Sequence, residues 1–263
     1  MQDILQEIVA FKRVEVEQQK QLVSPRDLYA KVERLMAAGI SARSMSRSLA
    51  SSPYGIIAEF KRKSPSKGWI HEDARPMDVV PMYAAGGASA LSILTDNKYF
   101  GGTLDFIPQV RQAVDIPILR KEFIIDEYQL FEARLVGADA VLLIAADLSK
   151  DQCRSLTRTA HDLKLEVLLE MHSEDELEYL DCEPDMAGIN NRNLGTFHTD
   201  VANSFRLADK MDTDAVKVSE SGISNPDTVR SLREAGFRGF LMGECFMKEQ
   251  DPGLALKQFI ERI

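Results

Sequence analysis

Apolar positions along the first 50 residues recur at helical spacing: Ile4, Ile8 and Phe11 share one face, as do Leu28, Val32 and Leu35. Between the two stretches, Ser24-Pro25-Arg26-Asp27 has the form of a helix start, with a capping serine, a proline at the first helical position and an acid in the first turn. The pattern predicts an amphipathic helical extension whose apolar faces cover either the rest of the chain or a partner chain. From Gly55 onward the period changes. Short β-rich runs at 55–60, 90–94, 116–119, 138–144, 166–169, 187–189, 215–218 and 239–242 alternate with amphipathic segments of helical length. This is the order of a parallel sheet with crossover helices. Helix starts are expected at Asp126, Ser149, Ser173 and Asn225-Pro226, and helix ends at Gly137-Ala138 and Gly236. Eight such units after a helical lead-in predict a closed (β/α)8 TIM barrel, because an open doubly wound sheet would carry a GxGxxG turn after its first strand and none is present.

Length and composition narrow the picture. A chain of 263 residues, 44% hydrophobic and 28% charged, can bury a full core and has the size at which one barrel fills it. We therefore expect one domain over residues 1–263, with 1–50 as an extension packed on the barrel. The net charge of -9 excludes general nucleic-acid binding, since a phosphate backbone would be repelled. No apolar run approaches the roughly 20 residues of a membrane span, and Met1-Gln2-Asp3-Ile4 lacks the basic and apolar regions of a signal peptide, so a cytoplasmic protein without a membrane partner is expected. Cys153, Cys182 and Cys245 stand far apart in no metal-binding spacing and read as reduced packing residues. His71, His161, His172 and His198 also lack ligand spacing, so no metal site is expected.

In a barrel of this kind the chemistry sits at the C-terminal ends of the strands, so charged residues closing apolar runs carry the information. Glu59 and Lys61 end the first run two residues apart, which puts both on one face of an extended strand and Phe60 on the other. They are an acid and a base at the barrel mouth or, read blandly, a surface ion pair. Lys121 follows Ile118-Leu119-Arg120 directly; burial could lower its pKa for acid catalysis, or it could stay a fixed cation for a substrate carboxylate. Glu170 closes Val167-Leu168-Leu169, a place where a carboxylate must be paired or protonated. Asn190 and Arg192 supply hydrogen bonds and a planar cation, or form an Asn-rich turn; Glu220 ends the seventh run.

Barrels often bind phosphate with the loops after strands seven and eight. Those loops begin Ser219-Glu220-Ser221-Gly222 and Met242-Gly243-Glu244, where Gly222 and Gly243 let backbone N–H groups approach an anion ahead of a helix. Ser64, beside the basic run Lys61-Arg62-Lys63 and Lys67, offers a third contact. A small phosphorylated substrate is the expected partner.

The segments Ile57-Ala58-Glu59-Phe60-Lys61-Arg62-Lys63-Ser64-Pro65-Ser66, Leu94-Thr95-Asp96, Tyr99-Phe100-Gly101-Gly102, Leu119-Arg120-Lys121-Glu122-Phe123-Ile124, Gly188-Ile189-Asn190-Asn191-Arg192 and Ser219-Glu220-Ser221-Gly222-Ile223 closely resemble the indole-3-glycerol phosphate synthase family. The likeness runs from the helical extension to the last strand. It implies a lyase of tryptophan biosynthesis that converts 1-(2-carboxyphenylamino)-1-deoxyribulose 5-phosphate to indole-3-glycerol phosphate, releasing CO2 and water, with no cofactor or metal. The resemblance further implies Lys121 as general acid for ring closure, and Glu170 or Lys61 as proton donor in the dehydration. It implies Lys61 and Arg192 on the departing carboxylate, Glu59 setting the charge and position of the lysines, and Asn190 and Glu220 on substrate hydroxyls. Ser64, Ser221, Gly222, Gly243 and the backbone N–H of Glu244 would surround the phosphate, and Phe100, Phe123 and Leu94 would wall the anthranilate ring. Asn193 and Glu122 stand where the family more often has Asp, the first bearing on the orientation of Arg192. A phosphosugar isomerase, a Schiff-base aldolase and an inactive binding barrel remain alternatives on the same fold. Nothing in the sequence bears on docking with other enzymes of the pathway.

Overall fold

The structure, a computed structural model, describes residues 4–39, 42–193, 195 and 197–263. Eight parallel strands, β1 (Ile56–Phe60), β2 (Ala90–Leu94), β3 (Ile118–Lys121), β4 (Ala140–Ile144), β5 (Glu166–Met171), β6 (Met186–Asn190), β7 (Val216–Glu220) and β8 (Gly239–Met242), pair in chain order, and β8 closes on β1 through Ile56↔Phe240 to Ala58↔Met242. The barrel is as the hydrophobic pattern predicts. β3, β5, β6 and β7 run further than their apolar runs and take in Lys121, Met171, Asn190 and Glu220. A charged side chain at the mouth does not interrupt backbone pairing, so the ladder continues through residues that a hydrophobic reading leaves outside it.

Alternation along each strand separates two apolar layers. Ile57, Leu119, Leu142, Leu168, Val218 and Leu241 point into the barrel. Ile56, Ala58, Phe60, Val141 and Leu169 point out against the helices, where Phe60 meets Phe106 edge to face at 5.7 Å between centroids.

Three helices precede the barrel: α1 (Ile4–Leu22), α2 (Pro25–Ala37) and α3 (Met45–Ser51). They run over its outside from mouth to base. α3 closes the base with Met45 and Leu49, both 0% exposed, and is fixed there by Ser44 Oγ and the Ser46 backbone N–H, which donate to Glu166 at the start of β5. α2 lies on the side, where Tyr29 stacks on Phe131 at 3.8 Å. α1 lies over the mouth. Its face differs from the expected one: Ile8 is buried, but Phe11 is 36% exposed and Lys12, one residue on, is 2% exposed. The Lys12 ammonium contacts Asp96 and Glu122 at 3.0 Å each, and Glu15. Asp96 and Glu122 follow β2 and β3, and they pull a polar side chain into the seam that periodicity gives to an apolar one.

The remaining helices are α4 (Pro76–Ala85), α5 (Phe106–Arg111), α6 (Glu127–Val136), α7 (Lys150–Asp162), α8 (Ala202–Ala208), α9 (Pro226–Glu234), α10 (Glu244–Met247) and α11 (Pro252–Ile260). Asp126 and Ser149 form full capping boxes, and Asn225 caps α9, as expected. The expected helix at Ser173 is instead a run of 3-10 turns, Asp175–Cys182, whose preceding Glu174 makes no capping bond. Leu177 and Leu180 still pack on the core, but no side chain closes the start, so the segment lacks the cap that the expected α-helix needs. Cys153 and Cys182 are buried packing residues. Among the described residues no group of His, Cys, Asp and Glu could hold a metal ion, and no helix is long and apolar enough to cross a membrane.

Candidate active site

The strand ends open into a cavity of about 690 Å³ at the mouth. Glu59, Lys61, Lys121, Glu170, Asn190 and Arg192 all reach it. Inward alternation delivers them: Glu59 is two residues past Ile57, Lys121 two past Leu119, Glu170 two past Leu168, and Asn190 two past Gly188. Lys121 stands at the centre. Its ammonium lies 2.7 Å from Glu220 and 3.7 Å from both Glu59 and Glu170. Burial works against its charge, but Glu220, Glu59 and Glu170 outweigh burial and raise its pKa above that of a free lysine. Of the two roles left open for this lysine, an ammonium at neutral pH is the state the site maintains.

Each carboxylate has a different second neighbour. Glu59 accepts a very short hydrogen bond from Lys61. Burial opposes its ionisation, but Lys61 and Lys121 hold its pKa below the usual carboxylate range. Gly243 permits this arrangement, since a Cβ there would lie 2.6 Å from Glu59 Oε1. Glu170 lies 3.3 Å from His172 Nε2. Burial again opposes charge, and His172 with Lys121 brings Glu170 down to about 2. Glu220 is 0% exposed beneath Lys121 and does not line the cavity. Burial pushes it up to about 7, against the pull of Lys121. Level with Asn190 in the register of β6 and β7, it takes the Lys121 ammonium as its partner at 2.7 Å.

The other candidates divide between two ends of the cavity. Phe100 and Phe123 lie 6.0 Å apart with planes tilted by 40°, beside Leu94. Ser221, Gly222, Gly243 and Glu244 line the opposite end. There Ser221 (φ 65°) and Gly222 (φ 78°) both adopt left-handed backbone, so the loop turns sharply at the end of β7. Glu244 turns its carboxylate to Arg192 (3.4 Å) and Lys67 (3.8 Å). Ser64 stays outside the cavity wall. It is 2% exposed in the short ribbon that pairs Lys63–Ser64 with Gly68–Trp69, and its Oγ accepts the Lys67 N–H. That turn brings Ser66 and Lys67 to the wall in its place.

Several cavity residues carry no mark in the sequence. Ile4, Leu5 and Ile8 of α1 form a roof, and Leu142 and Ile144 of β4 an apolar side. A search for charged strand ends passes over β4 because it ends in Ile144-Ala145. His172 was separable in principle. The two-residue spacing that pairs Glu59 with Lys61 also pairs Glu170 with His172, once β5 is extended to Met171.

The family model for indole-3-glycerol phosphate synthase matches residues 5–259. An indole-3-glycerol phosphate synthase of Bacteroides thetaiotaomicron is 60% identical over 263 residues, covering 100% of both chains, and one of Polaromonas sp. is 42% identical over 98% of each. Solved structures with low identity share the fold. A tryptophan synthase alpha-subunit from Pyrococcus furiosus superposes with a TM-score of 0.61 at 14% identity, covering 79% of this chain and 96% of that one. A thiamine phosphate pyrophosphorylase from Pyrococcus furiosus gives 0.58 at 16% identity, covering 79% and 94%. The chain belongs to the indole-3-glycerol phosphate synthase family, decarboxylating lyases of tryptophan biosynthesis.

Proposed function

We propose that the cavity binds 1-(2-carboxyphenylamino)-1-deoxyribulose 5-phosphate, with Lys121 as the acid of ring closure and Lys61 and Glu170 dividing the dehydration. The observation that carries this reading is the Lys121 ammonium held among three buried carboxylates at the cavity floor. The apolar end, with Phe100, Phe123 and Leu94, suits the anthranilate ring, and the Ser221-Gly222 and Gly243-Glu244 loops suit the phosphate. Arg192 and Lys67 now hold Glu244, so an incoming anion takes over cations already in place.

The steps follow from charge. The ring carbon that bears the carboxylate attacks the sugar carbonyl, and the carbonyl oxygen takes a proton from Lys121. The alkoxide forming there is more basic than an amine, so a lysine of raised pKa still gives its proton downhill. The bond to the carboxylate then breaks, CO2 leaves, and the electron pair restores the aromatic ring. The new hydroxyl departs as water after protonation, while the adjacent carbon loses a proton. An ionised Glu170 is prepared to accept that proton rather than to give one. Lys61 therefore protonates the leaving hydroxyl, with Glu59 holding its ammonium. Asn190, between Glu170 and Arg192 on the wall, is left to hold a substrate hydroxyl.

An aldolase reading would need Lys121 as a neutral nucleophile, and its carboxylate surroundings oppose that state. The reading gives the protein small-molecule partners in the cytoplasm. Mixing the purified protein with the carboxyphenylamino-deoxyribulose phosphate, without added metal or cofactor, should produce indole fluorescence. Absence of product would refute it.

A further inference from the structure

Three features stand outside the proposed machinery: the Lys12 cluster under α1, a second cavity beside the first, and His172 between the two cavities. His172 carries the argument furthest. We propose that His172 is a positioning residue whose imidazolium holds Glu170 ionised and aimed into the cavity, so that Glu170 begins each turnover as a base. The proposal rests on the base role given to Glu170 above.

The geometry starts from a shortage of cations. Glu170 is 3% exposed, so water does not stabilise its charge. Lys121 lies 3.7 Å from its Oε2, but the close partner of that lysine is Glu220, at 2.7 Å. One ammonium shared among three carboxylates cannot hold all of them ionised. Glu59 has Lys61 in addition, and Glu220 gains no second cation among the described residues and holds its proton more firmly. The added partner of Glu170 is His172, whose Nε2 lies 3.3 Å from Oε1, on the side away from Lys121. The two cations thus take different oxygens of the one carboxylate.

The ring is fixed from outside the strand. Glu176 accepts the His172 backbone N–H at 2.6 Å and places its carboxylate 3.6 Å from Nδ1. The Asn203 side chain donates to the His172 carbonyl at 3.0 Å. Both ring nitrogens therefore face carboxylates, an arrangement in which only the doubly protonated ring has a donor for each. On its far side His172, with Ser173 and Glu176, lines the second cavity, of about 510 Å³. The charged groups around the ring are Glu170 on β5, Glu176 on the 3-10 segment, Lys121 and Glu220 across the barrel, and Arg192, Asp200, Arg206 and His198 around the second cavity. Its direct contacts are acidic. Although burial opposes the ring's charge, the Glu170 and Glu176 carboxylates facing its two nitrogens raise its pKa to about 10.

The test is the pH profile of kcat for the parent, His172→Asn and His172→Gln, with Glu170→Gln as a separate control. Loss of the imidazolium leaves Glu170 with only a share of Lys121, the situation that puts Glu220 at about 7, so the acid limb should climb from about 2 to roughly 6.5. Turnover at pH 5.5 then falls by about tenfold relative to the parent, and falls far less at pH 8, where Glu170 ionises without help. A uniform fall in kcat with the acid limb unmoved overturns the proposal and leaves His172 a packing residue. Should both variants fail to fold, nitrogen NMR of the His172 ring in the parent decides: an imidazolium at pH 8 supports the proposal and a neutral ring overturns it. Turnover retained by Glu170→Gln would instead remove the base reading on which the proposal stands, a separable result.

Discussion

Replacing Lys12 by methionine keeps the length of the side chain and removes the only ammonium that touches both Asp96 and Glu122 among the described residues. Asp96 is 1% exposed and Glu122 5%, so in Lys12→Met Asp96 stays buried without an ion-pair partner among the described residues, and Glu122 keeps only Arg120, at 3.9 Å. Removing one partner of a buried pair costs about 3–5 kcal/mol. For a domain of this length that corresponds to a fall of about 6–10 °C in Tm. Burial works against charge on Lys12, yet Glu122, Asp96 and Glu15 raise its pKa above the free value of 10.5. Its contribution is therefore fully present below pH 10.5 and is lost only as pH rises through the folded value. Asp96 also accepts the N–H groups of Tyr99 and Phe100, and Glu122 that of Phe123. Loosening them moves the aromatic wall, and KM should rise more than kcat falls. Thermal melts by circular dichroism, with steady-state kinetics, measure both effects. The reasoning fails if Tm drops by less than about 2 °C, or if adding Asp96→Asn and Glu122→Gln to Lys12→Met recovers none of the loss.

Three further outcomes are expected. Lys121→Ala should lose turnover by about 10²–10⁴-fold while still binding substrate in a calorimetric titration; near-normal turnover would mean that another group is the acid. Gly243→Ala forces Glu59 away from Lys61, since the new Cβ meets the Glu59 carboxylate at 2.6 Å, and a misplacement of that kind lowers kcat on the order of 10²-fold, which a progress curve would reveal. The raised pKa of Glu220, about 7 in the folded state against 4.5 free, gives stability that is present below 4.5 and lost as pH rises through 7. Urea unfolding of Glu220→Gln should therefore lose that decline between pH 5 and 8, and an unchanged slope would count against it.

The barrel and most of the mouth were legible because two periods carry them. A period of two along the strands marks Glu59, Lys61, Lys121 and Glu170, and chain order gives the closed sheet. What was not legible depends on partners distant in sequence. Phe11 and Lys12 exchange places because Asp96 and Glu122 wait above β2 and β3, more than 80 residues away. Nothing near Ser64 in the sequence shows the ribbon with Gly68–Trp69, in which its Oγ accepts the Lys67 N–H. Glu220 ends an apolar run like its neighbours, and nothing local shows that its carboxylate turns to Lys121, 99 residues away. Leu142 and Ile144 carry no charge to attract notice, although they line the same cavity.

That uncharged sector at β4 has a consequence for the energy of reaction. Hydrocarbon from Leu142 and Ile144 borders the cluster of Lys121, Lys61 and their carboxylates, so the cavity acts as a solvent whose dipoles are oriented before substrate arrives. Bulk water would have to turn its molecules around each charge as it shifts from ring to oxygen to departing CO2. Here the charges are locked to one another by short contacts and cannot relax away, so that reorganisation is completed during folding and is not repeated in each turnover.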